Sequence, residues 1–432
     1  MKLCMIGTGY VGLVSGTCFS DLGNKVICAD VDKNKIKKLN SGIIPIYEPG
    51  LEELVKKNFS QKRLFFTNDI SSAVKNSDII FICVGTPIKK NSNTADLKYI
   101  YQVAHNLSKN INKYKIIVTK STVPVTTGDK IEKIIRNKNK NKYFDVVSNP
   151  EFLREGEAIR DFIFPDRVLV GTSSNKANNI MKSLYLPIIK KPNRYFSTSR
   201  RGAELIKYAS NAFLATKISY INELANLCEK TGVDVKDISL GMGLDQRIGE
   251  RFLRAGPAYG GSCFPKDTRA LVDTADKFKV NLSIVKNVIK SNENRKKLLI
   301  NRIHEILGKD LKNKKITFLG VTFKPNTDDM RESSSLKMIP YLSKKGANIK
   351  YYDPTGEKKP LSKIKNVKFL NNISSACKYS DLIIIHTEWN EFKQLNFKKL
   401  VSKKNFKVYD LRNIYSPKKM IKKKIKYFGV GR

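Results

Sequence analysis

The residues with the clearest chemistry lie in one short stretch, where two glycines, a cysteine, a lysine and an aspartate occur together. It reads Gly260-Gly261-Ser262-Cys263-Phe264-Pro265-Lys266-Asp267. Pro265 suits the first turn of a helix. A thiol at a helix start beside Lys266 is expected to have a lowered pKa, because of the helix dipole and the ammonium charge. Asp267 would lie one turn after Cys263 on the same face. We interpret Cys263 as a candidate nucleophile, in preference to an ordinary buried cysteine in a glycine-rich turn.

The length and composition of the chain are those of a multidomain globular protein. Its 432 residues allow about three domains, or two joined by a substantial middle element. No apolar run approaches the ~20 residues that cross a bilayer, and the first residues show no signal-peptide pattern. The seven cysteines are scattered without a Cys-x-x-Cys pair, and the three histidines lie far apart. We therefore expect a cytoplasmic protein with reduced thiols, no membrane association and no metal site.

The charge of the chain is strongly positive, +42, with 81 Lys and Arg against 39 Asp and Glu. Such a balance can mark a protein that binds nucleic acid or another polyanion. Here the lysines are spread along the whole chain among many Asn and Ile, all of which have AT-rich codons, and only Lys418–Lys424 is locally dense. Codon composition is therefore the favoured explanation. We expect no nucleic-acid partner, with polyanion binding as the minor alternative.

The N-terminal residues predict a dinucleotide-binding turn. An apolar strand leads into Gly7-x-Gly9-x-x-Gly12, then a helix and a second strand that ends at Asp30. In this context the glycines allow a tight turn, close approach of a pyrophosphate and close helix packing. The Asp30 carboxylate can bind the adenosine ribose and repel the extra phosphate of NADP. NAD is therefore the predicted cofactor, although Lys33 and Lys35 nearby weaken that preference.

Further apolar strands alternate with helical segments, which predicts a parallel, doubly wound sheet. They occur at Ile79–Val84, Ile116–Thr119, Val146–Ser148 and Val168–Val170. Ligands of such a sheet collect at the carboxyl ends of its strands. Those ends carry Gly85–Pro87, Lys120–Pro124 and Asn149–Glu155, whose residue types also suit ordinary turns. Because the three segments share one edge of the predicted sheet, we favour Thr122 and Glu155 as site residues.

The rest of the chain predicts two long helices and a second α/β domain. Gly202–Thr231 is one helical pattern with Lys207 and Asn211 on one face, a site candidate although such pairs usually mark a solvated face. Leu282–Leu307 is a second, which would supply core or a subunit interface. Strands without a three-glycine fingerprint follow at Ile316–Leu319, Ile349–Tyr352, Leu382–Ile385 and Val408–Asp410. We predict an α/β fold with two doubly wound Rossmann-like domains, 1–200 and 309–432, joined by a long central helical segment, 201–308, that carries the cysteine loop.

Six motifs, in this order, resemble the UDP-glucose/GDP-mannose dehydrogenase family over essentially the whole chain. They are Gly7–Gly12, Lys120–Pro124, Asn149–Glu155, Glu204–Asn211, Gly260–Asp267 and Phe323–Arg331. The resemblance implies oxidation of the primary alcohol of a nucleotide sugar to the carboxylate, with two NAD. The Ser262–Asp267 and Arg331-Glu-Ser-Ser versions are most similar to enzymes that convert UDP-glucose to UDP-glucuronate. GDP-mannose and UDP-N-acetylmannosamine are the alternative substrates.

The resemblance also implies catalytic roles. Cys263 would attack the aldehyde to give a thiohemiacetal, and loss of the second hydride would leave a thioester. Asp267 and Thr122, through a water, would serve the proton transfers. Lys207 and Asn211 would stabilise oxyanion charge. Glu155 would act as the general base in hydrolysis.

Two sets of binding residues follow from the same resemblance. The cofactor set is Gly7, Gly9, Tyr10, Val11, Gly12, Asp30, Lys35, Thr86, Thr122, Glu155, Lys266 and Arg331. The substrate set is Glu151, Phe152, Leu153, Arg154, Glu155, Lys207, Asn211, Phe252, Leu253, Arg254, Ala255, Gly256, Gly260 and Lys324, with Arg247 reaching the substrate of a neighbouring subunit. A homodimer or higher homo-oligomer is the implied assembly, with the central helical segment as its interface.

Overall fold

Two compact units make up the chain, and each is built around one sheet. A computed structural model describes residues 1–89, 92–138 and 143–432. The first unit comprises Met1–Ser210 and Ala270–Val280, and the second comprises Asn211–Arg269 and Asn281–Arg432. Within the described ranges, no helix is both long and apolar enough to cross a membrane.

The sheet of the first unit has eight strands. They are β1 Lys2–Ile6, β2 Lys25–Ala29, β3 Leu64–Thr67, β4 Ile79–Ile82, β5 Lys115–Thr119, β6 Phe144–Ser148, β7 Val168–Gly171 and β8 Tyr195–Thr198. Their order is β3-β2-β1-β4-β5-β6-β7-β8. The first six positions reproduce the strand order of a dinucleotide-binding domain, whose ligand lies at the carboxyl ends of the strands.

One strand pair departs from the predicted parallel arrangement. Strands β6 and β7 pair antiparallel, through Ser148 and Gly171, whereas all other neighbours in this sheet are parallel. A parallel pair needs a crossover that returns the chain to the same end of the sheet, usually through a helix. Between β6 and β7 only the short helix Ala158–Ile163 forms, and the chain runs back along the sheet. The prediction that Val168–Val170 continues a parallel sheet from Val146–Ser148 was therefore wrong.

Eight helices that lie wholly in the described part of the first unit pack around this sheet. They are α1 Tyr10–Asp21, α2 Lys33–Asn40, α3 Leu51–Ser60, α4 Ile70–Lys75, α5 Lys98–Asn110, α6 Thr127–Lys138, α7 Ala158–Ile163 and α8 Asn175–Tyr185. Apolar side chains of β1, β4 and β5 enter two separate core clusters, in which alternate residues of one strand belong to different clusters. This is the pattern of strands that are covered on both faces, and it explains why these strands are continuous apolar runs.

Long helices follow in the middle of the chain. They are α9 Arg200–Thr231, α10 Val235–Leu244, α11 Phe264–Lys277 and α12 Ser283–Leu307. The predicted helices Gly202–Thr231 and Leu282–Leu307 are thus α9 and α12, each within two residues of its predicted start.

The sheet of the second unit has six strands, all parallel to their neighbours. They are β9 Lys315–Leu319, β10 Asn348–Tyr352, β11 Val367–Phe369, β12 Leu382–Ile385, β13 Lys407–Asp410 and β14 Lys426–Gly429, in the order β11-β10-β9-β12-β13-β14. Its helices are α13 Ser335–Lys344, α14 Lys359–Ser362, α15 Ile373–Cys377, α16 Phe397–Leu400 and α17 Pro417–Lys422. The predicted fold class, two doubly wound α/β sheets with a long helical segment between them in sequence, is confirmed.

Candidate active site

The thiol of Cys263 differs from the other cysteines in its exposure and in its position. It directly precedes α11, and its carbonyl oxygen accepts a hydrogen bond from the Asp267 amide at 2.8 Å. Cys263 is half-buried, whereas the other six cysteines are buried. Burial raises the pKa of Cys83 and Cys377 to about 12, so these thiols stay protonated and unreactive. Only Cys263 therefore combines access with a helix start.

The side chain of Asp267 is the centre of a small polar group in the second unit. Its carboxylate is 1% exposed and accepts hydrogen bonds from Asn211 Nδ2 and from Lys266 Nζ, each at 2.6 Å. The predicted residues Cys263, Lys266, Asp267 and Asn211 are thus brought together, with Asp267 one turn after the thiol. A buried carboxylate that accepts hydrogen bonds from an amide and from a lysine side chain is held in one orientation, which suits a base or a proton relay.

The loop before Cys263 follows an irregular path that requires unusual backbone conformations. Phe252 and Ala258 have positive φ angles of 67° and 91°, and Gly261 has φ 79°. A Cβ atom at Gly260 would lie 2.8 Å from the Glu332 carbonyl oxygen, and one at Gly261 would lie 2.7 Å from the Phe323 ring. Close packing therefore requires glycine at both positions, and the positive φ favours glycine at position 261 as well.

Three buried polar side chains hold this loop, and we call them the loop clamp: Asn222, Asn292 and Arg295. Asn292 donates to the Tyr259 carbonyl oxygen at 3.1 Å and accepts from the Tyr259 amide at 2.9 Å. Asn222 accepts from the Gly256 amide at 2.8 Å, and Arg295 Nε donates to the Gly256 carbonyl oxygen at 3.1 Å. The peptide groups of two loop residues are thus satisfied by α9 and α12. Sequence reasoning missed the clamp, because its residues are distant from the loop in the chain.

The remaining substrate residues of the second unit divide into buried and exposed positions. Leu253 and Ala255 are buried in the core of this unit, and Arg254 is exposed. Arg247 is 89% exposed and pairs with Asp245. A basic side chain that sequence reasoning missed, Arg412, lies beside the loop, since a Cβ atom at Gly256 would be 3.3 Å from its guanidinium.

The segment with Lys324 and Arg331 follows β9. Arg412 Nη2 donates to the Phe323 carbonyl oxygen at 2.6 Å, and Lys324 Nζ lies 5.7 Å from the centre of the Phe323 ring. Arg331 pairs with Asp329 at 2.8 Å, and its carbonyl oxygen accepts from the Gly261 amide. The Arg331 backbone therefore supports the cysteine loop, and its side chain is largely exposed.

A second group of predicted site residues lies in the first unit, where Lys207 contacts Glu151 and Phe152. Lys207 is buried, donates from Nζ to the Glu151 carbonyl oxygen at 2.6 Å, and lies 3.5 Å from the Glu151 carboxylate. Its ammonium is 4.9 Å from the centre of the Phe152 ring. The Glu151 carboxylate in turn accepts from the Leu153 amide. By contrast, Arg154 pairs with Asp161 at 2.6 Å and is exposed.

A buried network lies under the segment that begins at Asn149. Lys120 Nζ donates to Asn149 Oδ1 and to the Tyr185 hydroxyl, both at 3.0 Å. Burial lowers the pKa of Lys120 to about 8, against the raising effect of the Glu151 carboxylate. Sequence reasoning named the stretch that starts at Lys120 but chose Thr122 from it. The available signal was a second lysine directly after a strand with the apolar run Ile116–Val118.

Thr122 lies in the loop after β5, and Thr86 holds its backbone. The Thr86 hydroxyl donates to the Thr122 carbonyl oxygen at 2.9 Å, so two predicted cofactor residues are neighbours. Further along the same loop, Thr126 has a positive φ of 79°, which is unfavourable for a β-branched residue. Its amide donates to Glu204 at 2.8 Å, and the Gly128 amide donates to the same carboxylate at 2.7 Å. Burial raises the pKa of Glu204 to about 7.

The turn after β1 has the geometry of a dinucleotide site. Gly7 has φ 100°, and a Cβ atom at Gly12 would lie 1.9 Å from the Gly7 carbonyl oxygen. A Cβ atom at Gly9 would meet nothing within 4 Å, so the space in front of the start of α1 is open. The next residues, Tyr10 and Val11, are half-buried in the first turn of α1. Open space before a helix N-terminus is what a pyrophosphate requires, so these residues fit NAD.

The acid at the end of β2 is paired with a predicted cofactor residue. Asp30 accepts from the Thr8 amide at 2.8 Å and from Lys35 Nζ at 2.9 Å. Burial opposes its ionisation, but hydrogen bonds from the Asp32 amide, Lys35 and Thr8 outweigh it and hold the pKa of Asp30 below its ordinary value. The carboxylate is thus charged, and Lys35 balances part of that charge. In the described ranges, no group of His, Cys, Asp and Glu is arranged to hold a metal ion.

Comparison with known proteins places the whole chain in one family. Residues 1–189 match the NAD binding domain of the UDP-glucose/GDP-mannose dehydrogenase family, residues 201–294 its central domain and residues 317–417 its UDP binding domain. A UDP-glucose 6-dehydrogenase of Rhizobium meliloti is 47% identical over 435 residues, with all of both chains covered. One of Bacillus subtilis is 45% identical and covers 100% of this chain and 93% of its own.

Solved structures agree with this assignment. A UDP-glucose dehydrogenase from the hyperthermophilic archaeon Pyrobaculum islandicum is 34% identical, with a TM-score of 0.91 over 99% of this chain and 97% of its own. A UDP-D-ManNAc dehydrogenase from Pyrococcus horikoshii is 26% identical, with a TM-score of 0.87 over 100% and 99%. The chain belongs to the UDP-glucose/GDP-mannose dehydrogenase family of NAD-dependent enzymes, as its motifs predicted, and NAD is its cofactor.

Proposed function

We propose that this family member oxidises UDP-glucose to UDP-glucuronate in two successive oxidations, with Cys263 as the nucleophile. The observation that carries the proposal is the half-exposed thiol at the start of α11, one turn before a buried carboxylate that Asn211 and Lys266 hold. The choice of UDP-glucose is supported by relatives of that name at 47% and 45% identity over the whole chain.

The two oxidations make different demands on the protein. Oxidation of the alcohol to the aldehyde requires a base for the hydroxyl proton, and NAD, when bound, accepts a hydride in each oxidation. Oxidation of the aldehyde requires an added nucleophile, because the carbon must become tetrahedral before it loses its hydrogen. In the proposal, Cys263 Sγ bonds to the aldehyde carbon and forms a thiohemiacetal. Loss of the hydride from that carbon leaves a thioester, and water then releases the acid and restores the thiol.

The second unit supplies the thiol and its proton chemistry. Asp267 takes the proton from the substrate hydroxyl through a water, and later serves the proton transfers around the thiohemiacetal. Its hydrogen bonds from Asn211 and Lys266 keep the carboxylate oriented. Asn211 lies one helical turn after Lys207 in α9. We therefore assign to both residues the stabilisation of the negative charge that develops on the sugar oxygen.

The first unit supplies Thr122, Lys207 and Glu155. Lys207 is buried, and the interaction of a lysine ammonium with a developing negative charge is stronger in such a site than it would be in water. Thr122 positions the water that serves the first proton transfer. Glu155 follows the segment that Lys207 holds at Glu151, and it is assigned the hydrolysis of the thioester as general base.

Substrate and cofactor binding are assigned from the family resemblance, and the geometry of the dinucleotide-binding turn supports the cofactor part. The open turn at Gly7, Gly9 and Gly12 would hold the pyrophosphate of NAD, and Asp30 its adenosine ribose. In the second unit, Lys324 and the loop from Phe252 to Gly260 would hold the sugar nucleotide. Its diphosphate explains why basic side chains accompany these residues.

A homo-oligomer is part of the proposal. Exposed apolar side chains repeat at seven-residue spacing along α9, at Phe213, Tyr220 and Leu227, with 66%, 50% and 58% exposure. A stripe with this spacing on a long helix is typical of helix–helix association. The largely exposed Arg247 is then assigned to the substrate of the neighbouring subunit.

The test of the function is the stoichiometry of NADH against each sugar nucleotide. With UDP-glucose we expect two NADH per substrate consumed, and little turnover of GDP-mannose or UDP-N-acetylmannosamine. Cys263→Ser should bind NAD but lose steady-state oxidation to the acid, because a serine ester is a poor substitute for a thioester. Wild-type turnover in this variant, or one NADH per substrate in the native enzyme, would refute the mechanism.

The order of steps is tested with two acid variants. Glu155→Gln should give a burst of NADH and trap a covalent adduct on Cys263, whereas Asp267→Asn should slow the burst itself. Removal of a base should cost ~10²–10⁴ in its own step. Glu157→Gln, an exposed change in the same loop, is the matched control and should resemble the native enzyme. Rapid-quench mass spectrometry of Cys263 separates these cases.

A further inference from the structure

A buried carboxylate in the first unit has no part in the mechanism proposed above. Glu48 lies in the segment between α2 and α3 and is only 7% exposed. One of its oxygens, Oε2, accepts from the Tyr10 hydroxyl and from the Gly156 amide, the latter at 2.6 Å. The other, Oε1, accepts from the Ala158 amide at 2.8 Å. Glu48 therefore joins three donors from two distant parts of the chain.

Two of these donors fix the loop that carries Glu155. Gly156 directly follows Glu155, so its amide nitrogen is bonded to the Glu155 carbonyl carbon. Gly156 has φ 83°, which lets the chain turn there, and Ala158 is fully buried at the start of α7. The backbone on the C-terminal side of Glu155 is therefore held at two points by one carboxylate.

The third donor belongs to the dinucleotide-binding turn. Tyr10 is the first residue of α1 and follows Gly9 directly. Its hydroxyl also accepts from the Gly156 amide at 3.1 Å. Burial, together with the hydrogen bond to Glu48, raises the pKa of Tyr10 well above its ordinary value, so the phenol remains a donor. One carboxylate thus ties the start of α1 to the Glu155 loop.

Only a carboxylate satisfies this arrangement. Glu48 faces three donors with two oxygens, and none of the ion pairs among the described residues involves it. A glutamine has one oxygen and one NH2 group, so in either orientation its NH2 group would face an N–H or O–H donor. In one orientation the buried Ala158 amide would lose its acceptor, and in the other the Gly156 amide would keep only its longer hydrogen bond to the Tyr10 hydroxyl, so either orientation is costly.

We infer that Glu48 is a positioning residue, which aligns Glu155 for thioester hydrolysis by fixing its loop to the dinucleotide-binding turn. The inference rests on the proposed function, since it assumes that Glu155 acts in hydrolysis. A displacement of about 1 Å in a catalytic group can cost ~10²-fold in rate. Loss of the Glu48 hydrogen bonds should therefore slow hydrolysis far more than it slows the earlier oxidation.

The experiment compares Glu48→Gln, Tyr10→Phe and the control Glu53→Gln, which removes an exposed carboxylate five residues away on α3. For Glu48→Gln we expect an NADH burst within about threefold of the native rate, hydrolysis slowed by ~10²-fold and an adduct on Cys263. Tyr10→Phe removes the tie to the dinucleotide-binding turn and retains both amide bonds to Glu48, so hydrolysis should slow by about threefold to tenfold, and unchanged hydrolysis would contradict the inference. This variant carries the kinetic test if Glu48→Gln does not fold.

Hydrogen–deuterium exchange of the peptide that covers the Glu155 loop gives a readout without turnover. Exchange at the Gly156 and Ala158 amides should be faster in Glu48→Gln and unchanged in Glu53→Gln. The inference is refuted if exchange is unchanged, or if burst and hydrolysis slow by the same factor, as a general loss of structure would cause. An adduct in Glu155→Gln but not in Glu48→Gln refutes the role of Glu48 alone. If neither Glu155→Gln nor Glu48→Gln forms an adduct while the native enzyme turns over normally, Glu155 does not act in hydrolysis. The inference about Glu48 then fails with it.

Discussion

Replacement of Asn292 by alanine should destabilise the second unit and displace the cysteine loop. Asn292 is buried and satisfies both the amide and the carbonyl oxygen of Tyr259, four residues before Cys263. Removing one partner of a buried hydrogen bond leaves the other unsatisfied, at a cost of about 1–3 kcal/mol. Two such groups give a predicted loss of about 2–6 kcal/mol, which is large against the 5–15 kcal/mol of a typical folded protein.

The single tryptophan of the chain makes this loss measurable. Trp389 is buried in the second unit, so its fluorescence during urea unfolding reports the unit that contains Asn292. Asn287→Ala, an exposed change on the same helix, is the matched control and should stay within about 0.5 kcal/mol of the native protein. Asn292→Asp retains an acceptor for the Tyr259 amide but has no side-chain NH2 group to donate to the Tyr259 carbonyl oxygen. It should fall between the other two.

Activity should follow the same order, because the clamp sets the position of the thiol. A shift of about 1 Å at Cys263 should lower the rate of thioester formation by ~10²-fold. We expect the NADH burst to be slow in Asn292→Ala and normal in Asn287→Ala. Equal stability of Asn292→Ala and Asn287→Ala would show that the Tyr259 peptide is held by other contacts. A normal burst in a destabilised Asn292→Ala would show that the loop does not need the clamp for chemistry.

Three further predictions concern charge. Asp30→Ala should narrow the preference for NAD over NADP, measured as the ratio of kcat/KM values, because the ribose partner and the repulsive charge are both lost; a native preference for NADP would contradict it. The folded-state pKa of Glu204, about 7, is raised from 4.5, so its contribution to stability is present below 4.5 and lost as pH rises through 7. The free energy of unfolding should therefore fall by on the order of 3 kcal/mol between pH 4.5 and 7, and Glu204→Gln should abolish this fall in urea unfolding. The same pH dependence in Glu204→Gln as in the native protein would refute the assignment. If codon composition explains the net charge of +42, binding to duplex DNA should be weak and abolished by moderate salt, and binding that survives physiological salt would support the polyanion alternative.

The strands that the sequence did not predict share one structural property. They are β3, β8, β11 and β14, and each lies at an edge of its sheet. Interior strands of a parallel sheet are covered on both faces and appear as continuous apolar runs, which is why β4, β5 and β12 were predictable. The edge strands have fewer buried residues or are short: β8 has no buried residue, β11 has only three residues, β14 buries only its last residue, and β3 buries only alternate residues. A periodic apolar signal cannot identify such strands.

The site residues also differ in how predictable they were, and the difference follows the separation of their contacts along the sequence. The Cys263 and Asp267 pair is local to one helical turn, so residue spacing alone predicted it. The supports of the site are not local: Asn292 lies 33 residues from Tyr259, and Glu48 lies 108 residues from Gly156. An asparagine or glutamate in an ordinary segment carries no signal that its partner is a backbone amide elsewhere. Those contacts become visible only in the folded chain.

The two sheets use the same device at the turn after the first strand, which explains how the second can lack a dinucleotide fingerprint. In the first unit the Gly7 amide donates to Ala29 and the Thr8 amide to the Asp30 carboxylate. In the second unit the Gly320 amide donates to Tyr352 and the Val321 amide to Asp353.

The acid after the second strand therefore stabilises the turn in both sheets, whether or not a ribose binds there. What differs is the space beyond the turn. The positions of Gly9 and Gly12 correspond to Thr322 and Pro325, and the next helix, α13, begins only at Ser335. Because the next helix does not begin directly after the turn, this turn lacks the helix N-terminus that holds a pyrophosphate in a dinucleotide site. The three-glycine motif thus indicates that a ligand approaches the backbone closely. The acid after the second strand indicates by itself only the conformation of the turn.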